Sequence, residues 1–293
     1  MKKIAIAFVM LALAIALFSA KAVYADTASG NVTITNAVPT MGTATLLNQA
    51  GADAAITLTA GSTVIVTASV TVTDTNGGAN IANATGKLYH STSTSAGADD
   101  ENIHLTNSTC TLGTPSGNDV LATCKFTMNF MALGGTWTAN ITATDLANTV
   151  VSAQDNNTVN DLAGLDVTDT VIEFGGMALG TNTTSPTTMT VRSQGNVQID
   201  AQYKGDAYAC TAGTIPVGNT AYGLTGANYD ELSALTNLTV GDVTQTGFDL
   251  GVRGVATANG ANSDKNELWG ILIPTSGISG TCTDTLTVTA IAG

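Results

Sequence analysis

Apolar and polar residues alternate with a period of two along much of this chain. In residues 62–73, Val64, Val66, Ala68, Val70 and Val72 fall on one face, and Thr63, Thr67, Ser69, Thr71 and Thr73 on the other. That is how an antiparallel strand with one buried face reads. The same alternation predicts strands at Trp137, Ala139, Ile141 and Ala143, at Val197, Ile199, Ala201 and Tyr203, and at Leu286, Val288 and Ala290. No segment carries a stripe of helical period, although Tyr229 to Leu235 would accommodate one short helical turn. Clusters of Gly, Asn and Asp between the strands point to β-sandwiches.

The chain of 293 residues is longer than one sandwich usually needs, so two modules are the economical division. The boundary is expected near Asn156 to Leu165, giving modules at 26–158 and 159–293. The polar run Gln154-Asp155-Asn156-Asn157 reads as a short turn or hinge. Beyond it, Leu165-Asp-Val-Thr168 and Val171-Ile-Glu-Phe-Gly175 read as the opening of a second run of strands. Composition agrees: 51 Thr and 31 Gly argue against a helical bundle, and 44% hydrophobic residues against a disordered polymer. The expected fold class is all-β.

Residues 1–25 read as an address, not as part of the fold. Lys2 and Lys3 precede the apolar run Ile4 to Phe18, and Val23-Tyr24-Ala25 places small residues at −3 and −1 of a cleavage site. The apolar run is shorter than the roughly 20 residues that span a bilayer. A Sec-type signal peptide is expected, with a mature chain starting at Asp26, exported to the cell surface or medium, and without a membrane span after cleavage. Cleavage leaves 6 basic against 22 acidic residues and moves the formal charge from −13 to −16. A polyanion of this kind repels phosphate backbones, which excludes nucleic-acid binding.

Four cysteines in an exported chain imply disulfides, and four permit three pairings. Cys110 with Cys124 and Cys210 with Cys282 keeps each bridge inside one module. Strand parity with Phe126, Met128 and Phe130 turns Cys124 inward, and parity with Leu286 and Val288 does the same for Cys282. No Cys-x-x-Cys occurs, so redox and metal roles lack support.

Several segments carry a family resemblance. Asn31-Val-Thr-Ile34, Ala37-Val-Pro39, Val70-Thr-Val-Thr-Asp74-Thr-Asn76-Gly77 and Trp137-Thr-Ala-Asn-Ile-Thr-Ala-Thr-Asp145 together resemble the immunoglobulin-like repeats of prokaryotic surface proteins. Leu165 to Thr168, Phe174-Gly-Gly-Met-Ala-Leu-Gly180, Gln194-Gly-Asn-Val-Gln-Ile-Asp200, Leu268-Trp-Gly-Ile-Leu-Ile-Pro274 and the stretch from Gly280-Thr to Thr289-Ala290 are similar to a companion β-module of secreted prokaryotic proteins. Gln194 stands where that module usually has a basic or aromatic residue. The resemblance implies immunoglobulin-like sandwiches at a cell surface and no known catalysis, and it transfers no site residue.

Candidate chemistry is sparse. His90 and His104 lie in no zinc-binding spacing, and no nucleophile elbow, phosphate-cradling loop or dinucleotide fingerprint occurs. A carboxylate-pair glycosidase would depend on the fold, because the separation it needs is spatial. Asp74, Asn76 and Asn80 follow the longest strand, and Asp99 and Asp100 open the densest acidic run. Oxygen ligands from two neighbouring loops suit calcium, while Asp and Asn beside Gly are equally ordinary turn formers. No other cofactor is expected. Tyr203, Tyr208, Tyr222 and Tyr229 flank Cys210 and read either as a core rim or as a sugar-binding surface. The expected function is that of an exported, non-enzymatic structural or adhesive surface protein, including a filament or surface-layer subunit. It would contact itself or other surface proteins through edge strands or loops. A secreted carbohydrate-binding module with glycan partners is the alternative.

Overall fold

The computed structural model describes residues 29–253 and 264–293; the expected signal peptide, residues 1–25, lies outside the described residues. Two compact units divide the chain, Met1–Asn36 and Ala37–Gly293. In the first, residues 29–36 form no regular element and are exposed throughout. The second unit is all-β apart from short helical turns.

Its N-terminal half holds β1 (Thr40–Met41), β2 (Thr45–Leu47), β3 (Thr63–Thr73), β4 (Ile81–His90), β5 (His104–Asn107), β6 (Thr111–Leu112), β7 (Asp119–Asn129), β8 (Gly135–Asp145) and β9 (Val150–Val159). One sheet runs β1-β3-β7-β6 with β2 also on β3, and the other runs β5-β4-β8-β9. The alternating face of β3 is buried as its pattern demands, with Val66, Ala68 and Val72 fully covered. It packs with Leu88, Trp137 and Ile141 of the second sheet into one apolar core. Across that core, a Cβ on Gly86 would stand 2.7 Å from Cys124 Sγ, so only glycine fits there. Cys110 and Cys124 are joined in a disulfide, with Cys124 turned inward and fully buried.

Gln154 to Asn157 form no hinge: they lie inside the edge strand β9. Their polar side chains supply what a neighbouring strand would. Asp155 Oδ2 accepts the Leu46 amide at 2.6 Å, and Asn157 Nδ2 donates to the Leu46 carbonyl at 3.2 Å and the Ala54 carbonyl at 2.7 Å. Polar residues that read as a turn therefore tie β9 to the Leu46–Ala54 segment. Val159, 1% exposed, ends β9 inside this first core.

The C-terminal half holds β10 (Leu165–Val167), β11 (Thr187–Ser193), β12 (Ile199–Gly205), β13 (Tyr208–Ala212), β14 (Thr214–Ile215), β15 (Thr220–Gly223), α1 (Tyr229–Ser233), β16 (Thr236–Asn237), β17 (Val243–Thr244), β18 (Asp264–Ile271), β19 (Ser279–Thr283) and β20 (Leu286–Ala292). The short helix sits where one turn was expected, capped by Asn228, whose side chain accepts the Glu231 amide. One sheet runs β10-β11-β18-β15-β16, a second β17-β12-β20 and a third β14-β13-β19. Between the Gly205–Leu286 and Ala209–Thr283 pairs the first chain takes four steps and the second three. A one-residue bulge thus divides one long antiparallel ladder into two sheets. Met189, Val191, Tyr222 and Trp269 from the first sheet pack against Ile199, Ala201 and Tyr203 from the second, forming a separate core. Contrary to the sequence reading, residues 171–175 form no strand.

The halves are clasped by Asn196, which is 3% exposed. Its Oδ1 accepts the Leu162 amide at 2.6 Å, and its Nδ2 donates to Ala132 O at 2.9 Å and Asn160 O at 3.1 Å. Beside it, a Cβ on Gly195 would lie 2.1 Å from the Leu162 carbonyl oxygen. The Gly-Asn pair of the companion-module motif is therefore a joint that fixes the connection between the two cores.

Candidate interaction surface

An edge strand and an adjoining cleft distinguish the C-terminal half. β20 pairs with β12 on one side, and no strand among the described residues pairs with its other side. The Gly293 amide bonds Gln198 O, and the Asp206 amide bonds Thr285 O. Hydrogen-bonded pairs alternate along an antiparallel ladder, so the odd-numbered residues of β20 bond toward β12. The amides and carbonyls of Leu286, Val288 and Ala290 then face the free edge. The side chains of Leu286, Val288 and Ala290 are half-buried and border the second core.

Two adjoining cavities open beside this ladder. One, of about 540 Å³, is lined by Val167, Met189, Trp269, Leu286 and Val288 among others. The other, of about 820 Å³, lies between residues 171–179 and the paired strands β13 and β19. Val171, Ile172, Tyr208 and Cys282 line both, so they form one apolar cleft. Its charged lining residues are Asp169, Asp284 and Glu173. Burial raises the Asp284 pKa against the opposing hydrogen bond from Tyr208, and burial pushes the Tyr208 hydroxyl up to about 12. Val171 is 67% and Leu179 52% exposed. Cys282, joined to Cys210 in the second disulfide, is half-buried on the cleft wall, where parity had turned it into the core.

Behind the cleft lies an aromatic cluster. The ring centroids of Tyr203, Tyr222 and Trp269 stand 4.9 to 5.4 Å apart. Among them is Glu267, fully buried, with Oε2 accepting the Tyr203 hydroxyl at 3.4 Å and Oε1 without a hydrogen-bond partner. Desolvation disfavours the charged form and pushes this carboxyl up to about 8. Burial also raises the Tyr203 hydroxyl and pushes the Tyr222 hydroxyl up to about 12. Sequence reading missed Glu267: in the alternation of β18 it shares the face of Trp269 and Ile271, and that parity was the available signal.

The other candidate residues are placed as follows. Tyr203 and Tyr222 are fully buried and Tyr229 is 7% exposed, so these rings offer no face to a sugar. Tyr208 is half-buried at the cleft. Asp74, Asn76 and Asn80 lie before β4, while Asp99 and Asp100 lie after it. Its ten residues set the two groups roughly 30 Å apart, so the loops are not neighbours and the five do not form one site. Each group makes turns: Asp74 Oδ1 accepts the Asn76 amide and Asp100 Oδ1 the Asn102 amide, both at 2.8 Å. Asp99 pairs with His104 at 3.0 Å, and its carboxyl is held low first by a hydrogen bond from Thr106 and then by His104. His104 and His90 are buried, and His90 bonds Thr92 and the Gly134 carbonyl. Among the described residues no group of three or more His, Cys, Asp and Glu is arranged to hold a metal ion. None of their helices is long and apolar enough to cross a membrane.

No protein-family model and no curated protein matches the chain. Solved structures align with it. The CsuC-CsuE chaperone-tip adhesion subunit pre-assembly complex from Csu pili of Acinetobacter baumannii aligns at 10% identity, over 75% of this chain and 88% of that one, with a TM-score of 0.32. The C-terminal domain of the antigen I/II-family protein AspA of Streptococcus pyogenes aligns at 10% identity over 87% of this chain and 96% of that domain, with a TM-score of 0.24. Dimeric latent PorU from Porphyromonas gingivalis aligns at 15% identity over 87% of this chain with a TM-score of 0.26, and this chain spans 20% of its length.

Proposed function

We propose that this is an exported, non-enzymatic structural or adhesive protein of the cell surface, built as two tandem sandwich modules, 26–158 and 159–293, behind a cleaved signal peptide. It works by contact. One observation carries this reading: β20 presents a free edge beside an apolar cleft, whereas the β9 edge of the other half is met by the Leu46–Ile56 segment, with the Ile56 amide on the Thr158 carbonyl and the Asn160 amide on the Ile56 carbonyl. An uncovered edge is a template for strand addition, in which main-chain bonds supply attachment and flanking pockets supply selectivity. Two disulfides and a clasped joint suit a load-bearing role outside the cell.

The test is Ala290→Pro. Proline there removes an amide that faces the free edge and leaves the β12 ladder bonds intact. Purified mature chain, followed by sedimentation and electron microscopy across a concentration series, is expected to associate, and the variant to stay monomeric with an unchanged circular-dichroism spectrum. A variant that assembles like the parent would overturn the reading.

A further inference from the structure

We infer that the occupant of the β20 edge is the N-terminal arm, residues 29–36, of a second copy of this chain, which enters as an added strand with Val32 and Ile34 turned into the apolar cleft. This rests on the reading of β20 as a contact edge and names its partner.

Four observations converge on it. The arm has strand-forming composition and no strand: Asn31-Val-Thr-Ile-Thr-Asn36 alternates polar and β-branched residues, yet all are exposed, Val32 at 82% and Ile34 at 79%. Isolated β-branched residues of this kind are stabilised by packing on a pleated, half-buried surface. Pattern matches pattern as well. β20 alternates Leu286, Val288 and Ala290 toward the core with Thr287 and Thr289 toward solvent. A strand beside it with Val32 and Ile34 inward and Thr33 and Thr35 outward continues both faces, giving aliphatic pairs within and threonine pairs without.

Length agrees. β20 is seven residues long, and an extended arm of eight residues reaches about 26 Å, enough to run beside it throughout. Charge agrees too. In a mature chain with a formal charge of −16, copies repel one another. Residues 29–36 carry no charged side chain, so the arm adds no like charge to the acidic cleft lining of Asp169, Glu173 and Asp284. The uncharged arm is therefore a segment that one acidic copy can bring to another with little repulsion. Because arm and acceptor are different surfaces, each copy donates to the next, and the contact is head-to-tail.

A photo-crosslinking residue in place of Ile34 tests the placement, with association and crosslinks read in the mature chain. The expected result is a crosslink between two copies that maps to residues 285–292 or 170–179. Val32→Lys with Ile34→Lys is expected to raise the concentration for half-association at least tenfold, with melting unchanged because both side chains are exposed. A synthetic peptide of residues 29–38 in excess is expected to cap assembly of the parent. Association that persists in the lysine variant, a crosslink within one copy or elsewhere, or an inert peptide would overturn the inference. If Ala290→Pro abolishes association while the lysine variant assembles normally, the edge reading stands and this occupant falls. If neither variant alters association, both fall.

Discussion

Glu267→Gln isolates the buried carboxyl behind the cleft. Its carboxyl titrates near 8 in the folded chain against an ordinary value of 4.5, chiefly through burial. Between those values the folded state holds a proton that the unfolded state has released. Stability is therefore fullest below pH 4.5 and declines as pH rises to about 8, beyond which the loss is complete. At roughly 1.4 kcal/mol for each pH unit, the full displacement corresponds to about 5 kcal/mol as an upper value, since a buried site relaxes when it ionises. Glutamine keeps the shape and an oxygen to accept the Tyr203 hydroxyl, but it carries no charge. Its amide adds donors with no partner nearby, which costs about 1 to 2 kcal/mol at every pH. The assay is urea unfolding of both proteins at half-unit steps from pH 4.5 to 9, read by circular dichroism. The variant is expected to be slightly less stable at pH 5 and more stable by a few kcal/mol at pH 9. His90, His104 and the surface carboxylates are common to both proteins, so the difference curve reports Glu267. A difference that stays flat across that range would mean that Glu267 is already ionised in the folded chain at pH 5.

Other outcomes follow from the same structure. Asn196→Ala removes three hydrogen bonds and strands the Leu162 amide; a loss of about 3 kcal/mol in urea unfolding is expected, with new proteolysis at 160–164. Opening Cys210–Cys282 by the double serine variant releases a closure of 72 residues, and loop entropy sets the loss at about 4 kcal/mol. Opening Cys110–Cys124, with a separation of 14, is expected to cost about 3 kcal/mol; equal melting points for parent and variants would contradict both. Millimolar calcium against chelator is expected to leave the melting temperature unchanged, because Asp74 and Asp100 already accept turn amides at opposite ends of β4. A rise abolished by Asp74→Asn would locate a site instead.

The class of fold is written in the local pattern of residues. Alternation is local, and a period of two turns one face of β3, β8, β12 and β20 inward whatever surrounds them, so Val66, Trp137 and Tyr203 were legible as interior residues. The cysteine pairs were legible too, because each closes within a continuous stretch of strands. Where strands stop having neighbours is set by long-range packing. Gln154 to Asn157 have turn composition, yet the approach of Leu46 and Ala54 holds them in a strand through Asp155 and Asn157. Val171 to Gly175 have strand composition, yet they line a cleft without pairing. The same holds for the contact surface, since a free edge is defined by which strand is missing from beside β20. Pairing partners lie scores of residues apart, and no local pattern records a neighbour that is absent.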